Sequence, residues 1–199
     1  DIPTTDFEKK FFADIQKFAF YSSLNKKCEQ NTGKDIPALM ACKEYKQVVS
    51  NLLEKHGLNY GSLPKGLLLF HTYPDTFRTA MEEHLAEGAM YAKNNFGKVN
   101  IHFTVSPEHK ALFEELVKEK VSCYEDKFSV TYDISFSVQK PSTDTIAVNL
   151  DNTPFRDKEG NLFFRPGGHG ALIENLNDMD ADVVFIKNID NVVPDSFKS

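Results

Sequence analysis

A chain of 199 residues with 41% hydrophobic and 26% charged residues holds enough apolar matter for a folded core and reads as ordered, not disordered. Its formal net charge of −6, from 23 Lys and Arg against 29 Asp and Glu with no basic stripe, argues against a nucleic-acid partner, because grip on a phosphate backbone rests on clustered cations. The three scattered cysteines form neither a CxxC pair nor an even disulfide set, and no apolar run approaches the roughly 20 residues that cross a bilayer; the expected setting is cytoplasmic, with no membrane partner.

Thr5-Asp6 predicts a helix cap, and Phe7, Phe11, Phe12, Ile15, Phe18 and Ala19 keep helical spacing to about Leu24. After the polar break Asn31–Lys34, Asp35-Ile36-Pro37 has the form of a cap with proline in the first turn, which predicts a second helix over Ala38–Glu54. Residues 1–55 are therefore expected to be a helical part. Leu67–His71 is a short buried-strand candidate, and Arg78-Thr79 leads into a helix from Ala80 to about Asn94. Val99–Val105 alternates with period 2, Ser106-Pro107 opens a helix over Glu108–Lys120, and Phe128–Val138 places an apolar residue at every even position, the strongest strand signal in the chain. Thr145–Leu150 and Asn161–Phe164 flank a hairpin-like loop, Asp157–Asn161. The apolar run Asp182–Ile189 predicts a buried strand that ends at Asp190. Such alternation implies one α/β domain over 1–199 whose residues 56–199 form a mixed, mainly parallel sheet.

Between Phe164 and the helical pattern that follows lies Arg165-Pro-Gly-Gly-His-Gly170, in which Gly167, Gly168 and Gly170 remove Cβ atoms from a strand-to-helix bend. Bare backbone of this kind reaches positive φ and lets a flat or anionic ligand approach its amides, so the loop, with His169, is a nucleotide-site candidate; a tight turn is the plainer use of the same glycines. Asp190, between Asn188 and Asn191, suits either a hard cation such as Mg²⁺ or a simple turn. Lys65 in Pro64-Lys65-Gly66 is either a phosphate contact or a solvated lysine. Gln139, at a strand end, offers a paired donor and acceptor to a base edge or to water. His71, His84 and His102 lie on separate elements and are expected to be hydrogen-bonded, partly buried histidines.

The ordered set of Lys65 in LPKGLLLFH, Arg78 in RTAMEEHL, Gln139 in FSVQKPSTD, the loop RPGGHGALIENLN and the tail FIKNIDNV resembles a bacterial family, domain of unknown function 4301, across most of the chain. Through the glycine loop and the Asp190 segment it is also similar to UDP-sugar and UDP-N-acetylhexosamine pyrophosphorylases. That second resemblance implies a three-layer α/β/α fold of the nucleotide-diphospho-sugar transferase kind. It places Gly167, Gly168 and His169 against uridine, Gln139 at the base, Mg²⁺ on Asp190 and a phosphate on Lys65. The implied activity joins a nucleoside triphosphate and a sugar 1-phosphate, with loss of pyrophosphate. Enzymes of that type begin with a Gly-Gly-x-Gly-Thr-Arg-like loop, which these residues do not contain, so the chain is expected to be part of a longer protein. A module that binds a nucleotide or sugar phosphate without turnover is the other expectation.

Overall fold

The structure is a computed structural model that describes residues 2–198. Helix α1 (Asp6–Asp14) starts at a reciprocal cap: the Glu8 amide donates to Thr5 Oγ1 at 3.2 Å, and the Thr5 amide donates to Glu8 Oε2 at 2.9 Å. The helix does not run on to Leu24. Phe18 turns to an extended conformation (ψ 140°) and stacks on Phe20 with ring centroids 5.0 Å apart, and α2 (Tyr21–Thr32) begins afresh. Gly33 ends α2 at φ 73°, a left-handed position that favours glycine. Asp35 then caps α3 (Ile36–Ala41) by accepting from the Ala38 amide at 2.8 Å. The second expected helix is also split, because Lys43 takes φ 61° before α4 (Tyr45–Leu53). Apolar faces of these short helices meet in a core of Phe12, Ile15, Leu24, Cys28, Ile36, Leu39, Val48 and Leu52. Burial pushes the Cys28 thiol up to about 11, which keeps it protonated and inert.

Strands β1 (Leu69–Thr72) and β2 (Phe77–Thr79) form an antiparallel hairpin, and Thr79 at its end caps α5 (Ala80–Tyr91) through reciprocal bonds with Glu82. Further on, β3 (Lys98–Thr104), α6 (Lys110–Phe128) and β4 (Thr131–Ser137) make a strand–helix–strand crossover. The two strands pair in parallel from Lys98↔Thr131 to Thr104↔Ser137. The alternation read in the sequence sends Phe103 and Phe136 to the face where Phe113 of α6 packs, with centroids 6.4 and 6.3 Å from it. Gly88 lets α5 approach β3 closely, since a Cβ there would lie 3.0 Å from Ile101 Cδ1. Beyond β4, β5 (Thr145–Ile146) and β6 (Phe164–Arg165) pair antiparallel around the expected hairpin, whose Gly160 sits at φ 85°. Helix α7 (Ile173–Asn177) follows the glycine loop.

The molecule is a mixed α/β protein, but its sheets are small. Among the described residues three two-stranded sheets replace the expected continuous, mainly parallel one, and only β3–β4 is parallel. Residues 182–189 form no strand; Val183, Phe185 and Ile186 are exposed, because an apolar run becomes a strand only when a sheet edge accepts its backbone bonds. The chain divides into two units, Asp1–Glu87 with Lys187–Ser199 and Gly88–Ile186, so the division falls within α5. No helix among the described residues is long and apolar enough to cross a membrane.

Candidate functional site

In the Gly88–Ile186 unit, the carboxyl end of β4 is where the glycine loop and α7 are fastened. Asn175, nearly buried, donates from Nδ2 to Ser137 Oγ at 2.8 Å and to the Val138 carbonyl at 2.9 Å. Lys140 pairs with Asp178 at 2.6 Å, and Ser142 donates to Glu174 at 3.4 Å. These ties bring Gly167 beside Gln139: a Cβ on Gly167 would lie 3.6 Å from Gln139 Nε2, 3.0 Å from the Thr143 carbonyl oxygen and 2.8 Å from Ala171 Cβ. Gln139 Nε2 also donates to Asp144 at 3.3 Å, which orients its amide.

The three glycines are there for reasons other than positive φ. Gly33, Gly97 and Gly160 are the glycines at positive φ among the described residues, whereas Gly168 sits at φ −77°, ψ −165°, an extended conformation open to any residue. Gly167 is glycine because the loop closes tightly on residues 139–143. Gly168 and Gly170 have open space beside their Cα atoms, and His169 between them is exposed at the start of a 3₁₀ turn, His169–Leu172.

Two residues away from Gln139, Ser137 Oγ lies 2.8 Å from His102 Nε2, whose Nδ1 is 2.8 Å from Ser135 Oγ. Burial disfavours the charged ring, so His102 titrates below its ordinary 6.5. His102 thus joins two hydroxyls.

The unit formed by Asp1–Glu87 and Lys187–Ser199 holds the other expected pair. Lys65 Nζ meets Asp190 Oδ2 at 2.5 Å across 125 residues of sequence. An ammonium therefore lies where a dication on Asp190 would sit, and among the described residues no three His, Cys, Asp or Glu side chains gather as a metal cage. A lone carboxylate suits Mg²⁺ only in the manner of nucleotide sites, with water and substrate phosphates completing the shell.

A buried ionic cluster in the same unit was not foreseen. Glu83 of α5, with no exposed side-chain surface, is met by His71 Nδ1 at 3.0 Å, Tyr73 Oη at 2.6 Å, Arg78 at 3.4 Å and Lys198. Arg78 lays its fork on Asp195 at 2.7 and 2.8 Å, under the Tyr73 ring at 4.1 Å. Burial raises the Glu83 carboxyl, but bonds from Lys198, Tyr73 and His71 outweigh it and the net shift is downward; Arg78 holds Asp195 far below the usual range. The signal in the sequence was Thr79-x-x-Glu82, which fixes the start of α5 and with it the inward face of Glu83. Nearby, His84 Nε2 meets the Ile189 carbonyl at 3.0 Å.

Shallow surface clefts lie elsewhere, one lined by Phe96, Glu125 and Thr131 and one by Leu53, His56 and Ser62; neither includes Gln139 or the glycine loop. A family model, Domain of unknown function (DUF4301), matches residues 1–199. No curated protein and no solved structure matches the chain.

Proposed function

We propose, for a chain that belongs to the family Domain of unknown function (DUF4301), that the Gly88–Ile186 unit binds a nucleotide or sugar phosphate along Gly167–Gly170, with Gln139 beside it. The observation that carries this reading is the pair Gly168 and Gly170. Open space lies beside both, and neither is at positive φ, so the fold itself would accept side chains there. Bare backbone that the chain does not need leaves room for a second molecule, and phosphates and flat rings are the ligands that lie on exposed amides. Gln139, oriented by Asp144, would set its amide against that ligand.

Nucleotidyl transfer is the second reading, favoured by the Lys65–Asp190 pair. In it an oxygen of a sugar 1-phosphate attacks the α-phosphorus of a nucleoside triphosphate and pyrophosphate leaves, on a fold of the nucleotide-diphospho-sugar transferase kind. Asp190 would hold Mg²⁺, and Lys65, released from the carboxylate, would contact phosphate. Mg²⁺, when bound, neutralises phosphate charge. Calorimetric titration of the 199-residue chain with UDP, UMP and glucose 1-phosphate, with and without Mg²⁺, tests the binding reading. Saturable heat with at least one of them is expected, and none with all three contradicts it. Pyrophosphate release from UTP and glucose 1-phosphate, lost in Asp190→Asn, would raise the second reading above the first.

A further inference from the structure

Parallel strands ordinarily bury both faces and read as apolar runs, yet one face of the β3–β4 pair is polar throughout. Lys98, Asn100, His102 and Thr104 stand on it opposite Thr131, Asp133, Ser135 and Ser137, and Thr131, Asp133 and Ser135 are exposed. At its carboxyl end His102 bridges Ser135 and Ser137, 2.8 Å from each hydroxyl. A third contact bears on the direction of the protons. Asn175 Nδ2 donates to Ser137 Oγ at 2.8 Å, so the hydroxyl hydrogen of Ser137 is left to donate elsewhere. His102 Nε2 at 2.8 Å is the nearer and more basic acceptor, against Thr104 Oγ1 at 3.3 Å. With Nε2 accepting from Ser137, Nδ1 carries the ring proton and donates to Ser135. Burial disfavours the cationic form of the ring.

Asn175 is held in this place although its Oδ1 is buried without a partner, an arrangement that a purely structural amide avoids. The groups around Ser137 Oγ are the His102 imidazole, the Thr104 hydroxyl and the Asn175 amide. A phosphate dianion finds no counterion in that cluster, whereas an ester carbonyl requires none.

We propose that Ser137 is a nucleophile, with His102 as its general base, that cleaves small uncharged carboxylic esters through an acyl-serine. Ser137 Oγ bonds to the carbonyl carbon as its proton passes to His102 Nε2. The carbon–oxygen bond to the alcohol breaks, and the imidazolium returns the proton to the departing alkoxide. Water, deprotonated by the same nitrogen, then attacks the acyl-serine, frees the carboxylic acid and restores the Ser137 hydroxyl. The activity does not depend on the nucleotide reading.

The test is covalent labelling of the 199-residue chain with a fluorophosphonate probe and, separately, with p-nitrophenyl acetate, followed by peptide mass spectrometry. A phosphonyl or acetyl adduct on Ser137 is expected, formed about 10²-fold more slowly in His102→Gln, the usual scale of general-base assistance. An unmodified Ser137 in the unsubstituted chain overturns the proposal, whether or not the variant folds. Equal labelling rates in the unsubstituted chain and a folded His102→Gln chain overturn the role of His102.

Discussion

At Glu83 four partners converge on a carboxylate with no exposed surface. Removing one member of a buried charge network strands the others, so Glu83→Gln should cost about 3–5 kcal/mol in urea unfolding at neutral pH. Both Glu83 and Asp195 have folded-state values below their ordinary 4.5 and 3.8. The unfolded chain therefore takes up protons first as the medium acidifies. The stability they contribute is present above about pH 4.5 and is lost as pH falls through the folded values, so acid unfolding should set in below that point and be blunted in Glu83→Gln. Arg78 and the helix start that follows it were visible in sequence. The partners Asp195 and Lys198 were not, because they lie 117 residues from Arg78 and 115 from Glu83 and only tertiary folding brings them in. Lys65 and Asp190 illustrate the same limit: each was singled out, but nothing local foretold that they would bind each other.

Caps and strand periods were legible at the scale of elements, since Thr5, Asp35 and the even-numbered apolar positions of β4 act within a few residues of themselves. Breaks inside the N-terminal helices were not, because they depend on Phe18 finding Phe20 and on Lys43 tolerating φ 61°. The run 182–189 had strand composition but finds no partner edge among the described residues. In the glycine loop positive φ was expected, but close packing explains Gly167 and positive φ explains none of the three. Gly167→Ala should accordingly destabilise by about 1–3 kcal/mol, since its Cβ would sit 2.8 Å from Ala171 Cβ and 3.0 Å from the Thr143 carbonyl oxygen. Gly168→Ala should leave the melting temperature unchanged or slightly raised, as a residue at φ −77° gains from a stiffer unfolded chain. Paired thermal melts of the two variants check the contrast; equal losses would mean that Gly168 is also structural.

Over the whole molecule, the family match spans residues 1–199 while the described residues fall into two units, and the candidate chemistry is distributed accordingly. One unit holds the glycine loop with Gln139 and the Ser137–His102 pair; the other holds the Lys65–Asp190 pair and the Glu83 cluster. The net charge of −6 offers an anionic ligand no overall attraction, so local amides and paired side chains would have to hold it. Ligand binding by the loop at Gly167–Gly170 is proposed from the open backbone beside Gly168 and Gly170. Its most direct measurement is a nitrogen-15 amide titration of the 199-residue chain with UDP and then with glucose 1-phosphate, read residue by residue. Saturable shifts that are largest at Gln139 and Gly167–Gly170 are expected; those amides left unmoved at saturating concentrations of both ligands would contradict the proposal.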